Sequence, residues 1–197
     1  MSKHYTVITG ASAGIGAAAA RAFAARGHSL ILAARRTDRL EALRTELFAA
    51  HPDIDIIVKT VDLSAAENVL RFYEEVHTLP LRTWINNAGF GDYGQVAAQD
   101  LDKIRPMLHL NIEALTILSM LFVRDFADVE GTQLINISSV GGYLIVPNVV
   151  TYCATKFYVS AFTEGLAQEL HANGAKLCVK ILAPAATQTE FGAVANN

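Results

Sequence analysis

Residues 9–16 read TGASAGIG, with glycines at 10, 14 and 16. The run before it, YTVIT (5–9), is apolar and β-branched like a buried strand. The run after it, GAAAARAFAARG (16–27), is alanine-rich and helical, and Gly27 stands where a helix end favours glycine. A glycine turn between a strand and a helix has two uses. It packs tightly, or it offers backbone N–H groups and the positive end of a helix dipole to a phosphate. The spacing is G-x-x-x-G-x-G, not the commoner dinucleotide fingerprint G-x-G-x-x-G. The stretch alone leaves both uses open.

Working outward, strand and helix signals alternate. SLILAA (29–34), IDIIVKTVD (54–62), TWINNAG (83–89), TQLINISS (132–139) and KLCVKILAP (176–184) read as strands. Helical patterns fall at 38–50, at 64–77 behind a Ser64 cap, over 99–126, and at 151–174. Six such alternations predict an α/β fold: a Rossmann-like, doubly wound parallel sheet of strand order 3-2-1-4-5-6, with helices on both faces. The ligand crevice is expected outside the C-terminal strand ends. No repeat, linker or low-complexity stretch divides residues 1–197, which read as one nucleotide-binding domain.

The composition fits. Apolar residues are 52% and charged residues 18% of the 197, as strands buried on both faces require. The net charge is −3, with both signs spread along the chain, so no nucleic-acid stripe or basic membrane patch is expected. The most apolar helical stretch, 110–123, contains Asn111, Glu113 and Thr116 and reads as a core helix, not a membrane span. Cys153 and Cys178 are too few for a disulfide framework, and the start shows no cleavable leader, so a cytoplasmic setting is expected. The six histidines show no ligand spacing, and no catalytic metal is expected.

A dinucleotide site commonly carries an acidic residue about 20 residues after the glycines, to hold a ribose hydroxyl. Here the second strand ends LAARR, with Arg35 and Arg36 at its tip. Guanidinium groups suit a 2′-phosphate, which favours NADP(H) over NAD(H). Asp38, a little farther on, argues the other way. Asp62, ending the third strand, is placed either to touch the adenine rim or to cap the next helix.

The segment SSVGGYLIVPNVVTYCATK contains Ser138, Ser139, Tyr152 and Lys156. Tyr152 and Lys156 are four apart and share a helix face. A lysine cation beside a phenol lowers its pKa toward the working range of an acid–base catalyst. Ser139, at a strand end, is suited to bond a substrate carbonyl oxygen. Each residue alone has a commonplace explanation; the ordered set behind a phosphate loop does not. Cys153 reads as a core residue and His109 as structural.

Together, TGASAGIG, Asp62, NNAG (86–89), Asn111, Ser139, YCATK (152–156) and PAATQT (184–189) resemble the short-chain dehydrogenase/reductase family over the whole chain. The resemblance implies a tetrad of Asn111, Ser139, Tyr152 and Lys156. Tyr152 exchanges a proton with the substrate oxygen. Lys156 lowers its pKa and holds the nicotinamide ribose. Ser139 orients the carbonyl, and Asn111 distorts its helix and supports a water relay. The cofactor would lie against Gly10, Ser12, Ala13, Gly14, Ile15, Gly16, Arg35, Arg36, Asp62, Leu63, Asn86, Asn87, Ala88, Gly89, Tyr152, Lys156, Pro184, Ala185, Thr187 and Thr189. The implied activity is hydride transfer between NADP(H) and a small carbonyl or secondary-alcohol substrate. A homodimer or homotetramer pairing through the helix of Tyr158, Ser160 and Phe162 is implied too.

Two features depart from the family pattern. Ala185 stands where glycine is usual after Pro184. Members also commonly run to ~250 residues, so a truncated chain is expected, without the substrate-covering helices and final strand. A non-catalytic NADP(H)-binding sensor or scaffold is the alternative. The Ser139, Tyr152 and Lys156 set favours the enzyme, since a sensor needs no proton-transfer tyrosine.

Overall fold

The computed structural model describes residues 4–185 and residue 195. Six parallel strands form one sheet: β1 (Tyr5–Thr9), β2 (Ser29–Ala34), β3 (Ile56–Thr60), β4 (Leu81–Asn86), β5 (Gln133–Ile137) and β6 (Cys178–Leu182). Their order is β3-β2-β1-β4-β5-β6, as expected. Between them lie α1 (Gly14–Ala24), α2 (Thr37–Ala50), α3 (Ala66–Val76), α4 (Leu101–Leu108), α5 (Leu115–Phe126) and α6 (Val150–Ala172).

Strand side chains alternate between the two faces, and each face has its own core. Ile8, Leu30, Leu32 and Ile85 pack with Ala20 and Ala24 of α1 and Leu40, Leu43 and Leu47 of α2. Val7, Ile31, Trp84 and Leu134 pack with Phe72 and Tyr73 of α3, Leu118 and Phe122 of α5, and Leu170 of α6. Each such buried side chain stabilises the fold by about 1.5–3 kcal/mol before entropy is counted. β1 and β2 are buried at every residue, whereas β6 alternates between partly and well exposed.

The sequence reading needs three corrections. The helix expected at 64–77 begins at Ala66 without a side-chain cap. Ser64 instead donates its N–H and hydroxyl to Asp62 Oδ1, at 3.0 and 2.7 Å. Asp62 therefore shapes the turn and does not cap α3. The strand expected at 54–62 shortens to Ile56–Thr60 for the same reason. The helical run at 99–126 is broken by a π-helical turn, His109–Ala114, between α4 and α5, at the position of Asn111. Among the described residues, Leu101–Phe126 is long and apolar enough to cross a membrane. Its Met107, Ala114, Leu118 and Phe122 are buried in the fold, while Leu101 and Met120 are exposed.

The strand order turns back at β1 and β4. The crevice between their C-terminal ends is where an open parallel sheet places a ligand.

Candidate active site

A single cleft of about 680 Å³ runs across the C-terminal ends of the strands. One end is lined by Ser12–Ile15, Arg35, Arg36, Asp62 and Leu63. The middle is Gly10 and Asn87–Gly89, and the other end contains Ser139, Tyr152, Lys156 and Ala185. These sequence-predicted residues thus gather at one place although they come from seven parts of the chain.

The glycine loop is held from below. Thr9 Oγ1 accepts from the N–H groups of Asn87 and Ala88, both at 3.0 Å. Asn87 Nδ2 donates to the carbonyls of Thr9 and Gly10, at 2.8 and 3.2 Å. Gly10 takes φ +66° and Gly14 φ +52°, a region that side chains disfavour. A Cβ on Gly16 would fall on the Gly10 carbonyl oxygen and 2.6 Å from Asn87 Nδ2. The glycines therefore divide the two uses. Gly10 and Gly16 permit close packing, and Gly14 opens α1, whose first turn has no acidic residue and no capping side chain. The free N–H groups there suit an anion.

Arg35 and Arg36 are exposed at the β2 tip. Arg36 reaches the Ser12 hydroxyl at 3.4 Å. Burial acts to raise the Asp62 pKa, but the bonds from Ser64 and the charge of Arg35 outweigh it and hold the carboxyl low. Asp62 is thus an anion that lines the cleft together with Arg35.

At the other end, Ser139 follows β5 and its Oγ accepts from Gly141 N–H at 3.1 Å. Tyr152 and Lys156 lie on the first turns of α6, the ammonium 5.8 Å from the phenol ring centroid. Lys156 is 5% exposed, and its Nζ donates to the Ile137 carbonyl at 2.9 Å. Burial pulls its pKa down to about 8. Burial also raises the Tyr152 pKa above the ordinary phenol value, while the hydrogen bond with Ser139 acts to lower it. The lowering expected from Lys156 is therefore reversed. Apolar surroundings penalise the charged form of both groups, and the ammonium points at a backbone carbonyl.

Asn111 is buried behind this end. Its Nδ2 donates to Phe90 O at 2.9 Å and to Thr155 Oγ1 at 3.1 Å, and its Oδ1 accepts from Phe90 N–H at 3.2 Å. It braces the Gly89–Phe90 turn. Asn86 does not line the cleft. It lies in the interior, where it accepts from Trp84 Nε1 at 2.8 Å and donates to Ser119 and Asn136. Pro184 acts through its carbonyl, which accepts from Val140 N–H. Thr187 and Thr189 fall outside the described residues. Cys153 is buried and also lines the cleft, and His109 pairs with Glu113 on the surface of the π turn. Sequence reading missed Ile137, Phe90, Tyr93, Val146 and Val149; only the apolar, aromatic character of their loops hinted at the last four.

The short chain dehydrogenase family matches residues 4–197. Dehydrogenase/reductase SDR family member 11 of Gallus gallus is 32% identical over 191 residues, covering 94% of this chain and 75% of that protein. A short-chain dehydrogenase from Sphingobium yanoikuyae, solved with NADPH, superposes with a TM-score of 0.91 at 33% identity, covering 98% of this chain and 75% of that one. A short-chain dehydrogenase/reductase from Burkholderia phymatum, solved with NAD, gives 0.89 at 25% identity, covering 98% and 69%. The chain belongs to the short-chain dehydrogenase family.

Proposed function

We propose that this short-chain dehydrogenase is an NADP(H)-dependent oxidoreductase for a carbonyl or secondary-alcohol substrate, with Tyr152 as its general acid and base. The observation that carries the reading is the continuity of one cleft from two exposed arginines to Ser139, Tyr152 and the buried Lys156. The residues fit an extended dinucleotide: a glycine cradle and free helix N-terminus for the pyrophosphate, Arg35 and Arg36 for a 2′-phosphate, and Lys156 near the reaction end. Similar chains are solved with NADPH and with NAD, so the NADP(H) preference rests on the two arginines.

A bound nicotinamide supplies or accepts the hydride. Ser139 holds the carbonyl oxygen by its hydroxyl. Tyr152, a neutral phenol at neutral pH as tyrosines ordinarily are, donates its Oη proton to that oxygen as charge builds there. In the oxidative direction the phenolate takes the proton back, so oxidation speeds up as pH rises. Lys156 carries its charge at neutral pH, holds the ribose and stabilises the phenolate as it forms. Asn111 keeps the Gly89–Phe90 turn in place.

Residues 1–197 act as one nucleotide-binding domain in this reading, in a reducing, cytoplasmic setting that suits two free cysteines. Pairing into a homodimer or homotetramer is supported by exposed Phe157 and Tyr158 on α6 and Met120 on α5; Tyr158 stacks on Phe162. The test is NADPH oxidation against a panel of ketones and aldehydes, with Tyr152→Phe as control. Turnover lost in that variant supports the enzyme. Tight NADPH binding without turnover would instead mark a cofactor-binding sensor or scaffold.

A further inference from the structure

Tyr93 is not a member of the expected tetrad, yet it lines the same cleft as Tyr152. It lies on the loop between β4 and α4, and that loop is pinned on both sides of it. Asn111 holds Phe90 by two hydrogen bonds. Thr151, the neighbour of Tyr152, donates to Gln99 Oε1 at 2.5 Å, and Gln99 Nε2 donates to Asp92 Oδ2 at 3.3 Å. Gly94 N–H donates to the carbonyl of Asn148 at 2.8 Å, and Tyr93 N–H to that of Ala195 at 3.1 Å. The backbone is thus fixed, while the Tyr93 side chain remains 44% exposed. A large aromatic ring on a fixed backbone offers contact area at low entropic cost.

The remaining wall at this end is apolar. Val140, Val146 and Val149 line the cleft from the loop before α6. Among the described lining residues the charged ones are Arg35, Arg36, Asp62 and Lys156. The first three stand at the nucleotide end, and the ammonium of Lys156 is buried against Ile137. An acidic substrate group beside Tyr93 would meet no exposed cation and would lie near the buried carboxylate of Asp92. An uncharged apolar group would replace water against Tyr93 and the valines.

We propose that Tyr93 is a specificity-determining residue: with Val146 and Val149 it receives the larger, aromatic or alicyclic substituent of an uncharged ketone or aldehyde. This rests on the oxidoreductase reading above. The test compares acetophenone, acetone and pyruvate as substrates of the full chain at saturating NADPH. The expected kcat/KM for acetophenone exceeds that for acetone and for pyruvate by about 100-fold. Tyr93→Ala should lower the acetophenone-to-acetone ratio about tenfold, chiefly through KM, and Tyr93→Phe should restore it. A preference for pyruvate, or a ratio unchanged in Tyr93→Ala, overturns the proposal and leaves the oxidoreductase reading standing. Absence of NADPH oxidation with every carbonyl, at full NADPH binding, overturns both.

Discussion

At the nucleotide end of the cleft the arginine charges stand in water, whereas at the reaction end the lysine is buried and the tyrosine half-buried. Arg35 and Arg36 are exposed, and an exposed guanidinium keeps its charge and acts by attraction and bidentate bonding. Lys156 and Tyr152 are held against β5 and the loops, where burial moves the lysine pKa down and the tyrosine pKa up. The two groups move apart on the pH scale, each toward its uncharged form, without a direct ion pair. Binding thus uses charges at their ordinary strength, and chemistry uses charges whose cost has been altered by the fold.

The largest effect should break the reaction end alone. Tyr152→Phe removes the proton donor and leaves the ring volume. We expect kcat to fall about 10²–10⁴-fold, with NADPH affinity by fluorescence titration changed little. A matching loss of affinity would merge the two ends into one binding unit. Gly16→Ala acts at the other end through packing. The new Cβ meets the Gly10 carbonyl and Asn87, so the loop must shift. We expect a loss of about 3 kcal/mol in urea unfolding. A loss in NADPH affinity with no stability change would show that Gly16 serves the ligand directly.

Much of this was legible in the sequence, for physical reasons that differ by element. β1 and β2 begin and end where expected because their apolar runs stop abruptly at polar or glycine residues. β3 was read too long, since Asp62 continues the pattern but is spent on a side-chain turn with Ser64. The π turn at Asn111 followed only from the family resemblance; nothing in the local residue pattern marks a hydrogen-bond shift. Spacing placed Tyr152 next to Lys156 but carried no measure of burial, and burial decided the direction of the tyrosine shift. Ile137, which anchors the lysine, contributes a backbone carbonyl, and any residue supplies one. The Gln99–Thr151 bond joins positions 52 apart, beyond the reach of local patterns.

The buried lysine gives the next prediction. Its amine titrates at about 8 in the fold, against 10.5 for the ordinary group. Between those values the unfolded chain binds more protons, so stability should rise with pH, by on the order of 2 kcal/mol from about pH 8 to about pH 10. Above about pH 10 the trend should reverse. Tyr5, bonded to Asp55, is pushed up to about 12, and Tyr73 is raised by burial; both keep their protons in the fold while the unfolded chain releases them there. Urea unfolding without cofactor tests this, and Lys156→Met should abolish the rise. A rise that persists in Lys156→Met would assign it to another group.

The smallest effect belongs to the exposed end, and it separates the two nucleotides. Arg35→Ala removes one guanidinium from a surface that retains Arg36, itself within reach of Ser12. The lost charge-assisted bond should weaken NADPH about tenfold. NADH lacks the 2′-phosphate and should change by less than about twofold, since an exposed charge away from its ligand contributes little. The loss for NADPH should shrink as salt is raised, because exposed charges are screened. The Tyr152→Phe loss in kcat should not, because it removes a proton donor and not a surface charge. Equal weakening of both nucleotides would remove the arginines as the source of preference. It would turn attention to Asp38, in the first turn of α2, where a carboxylate favours a ribose hydroxyl over a phosphate.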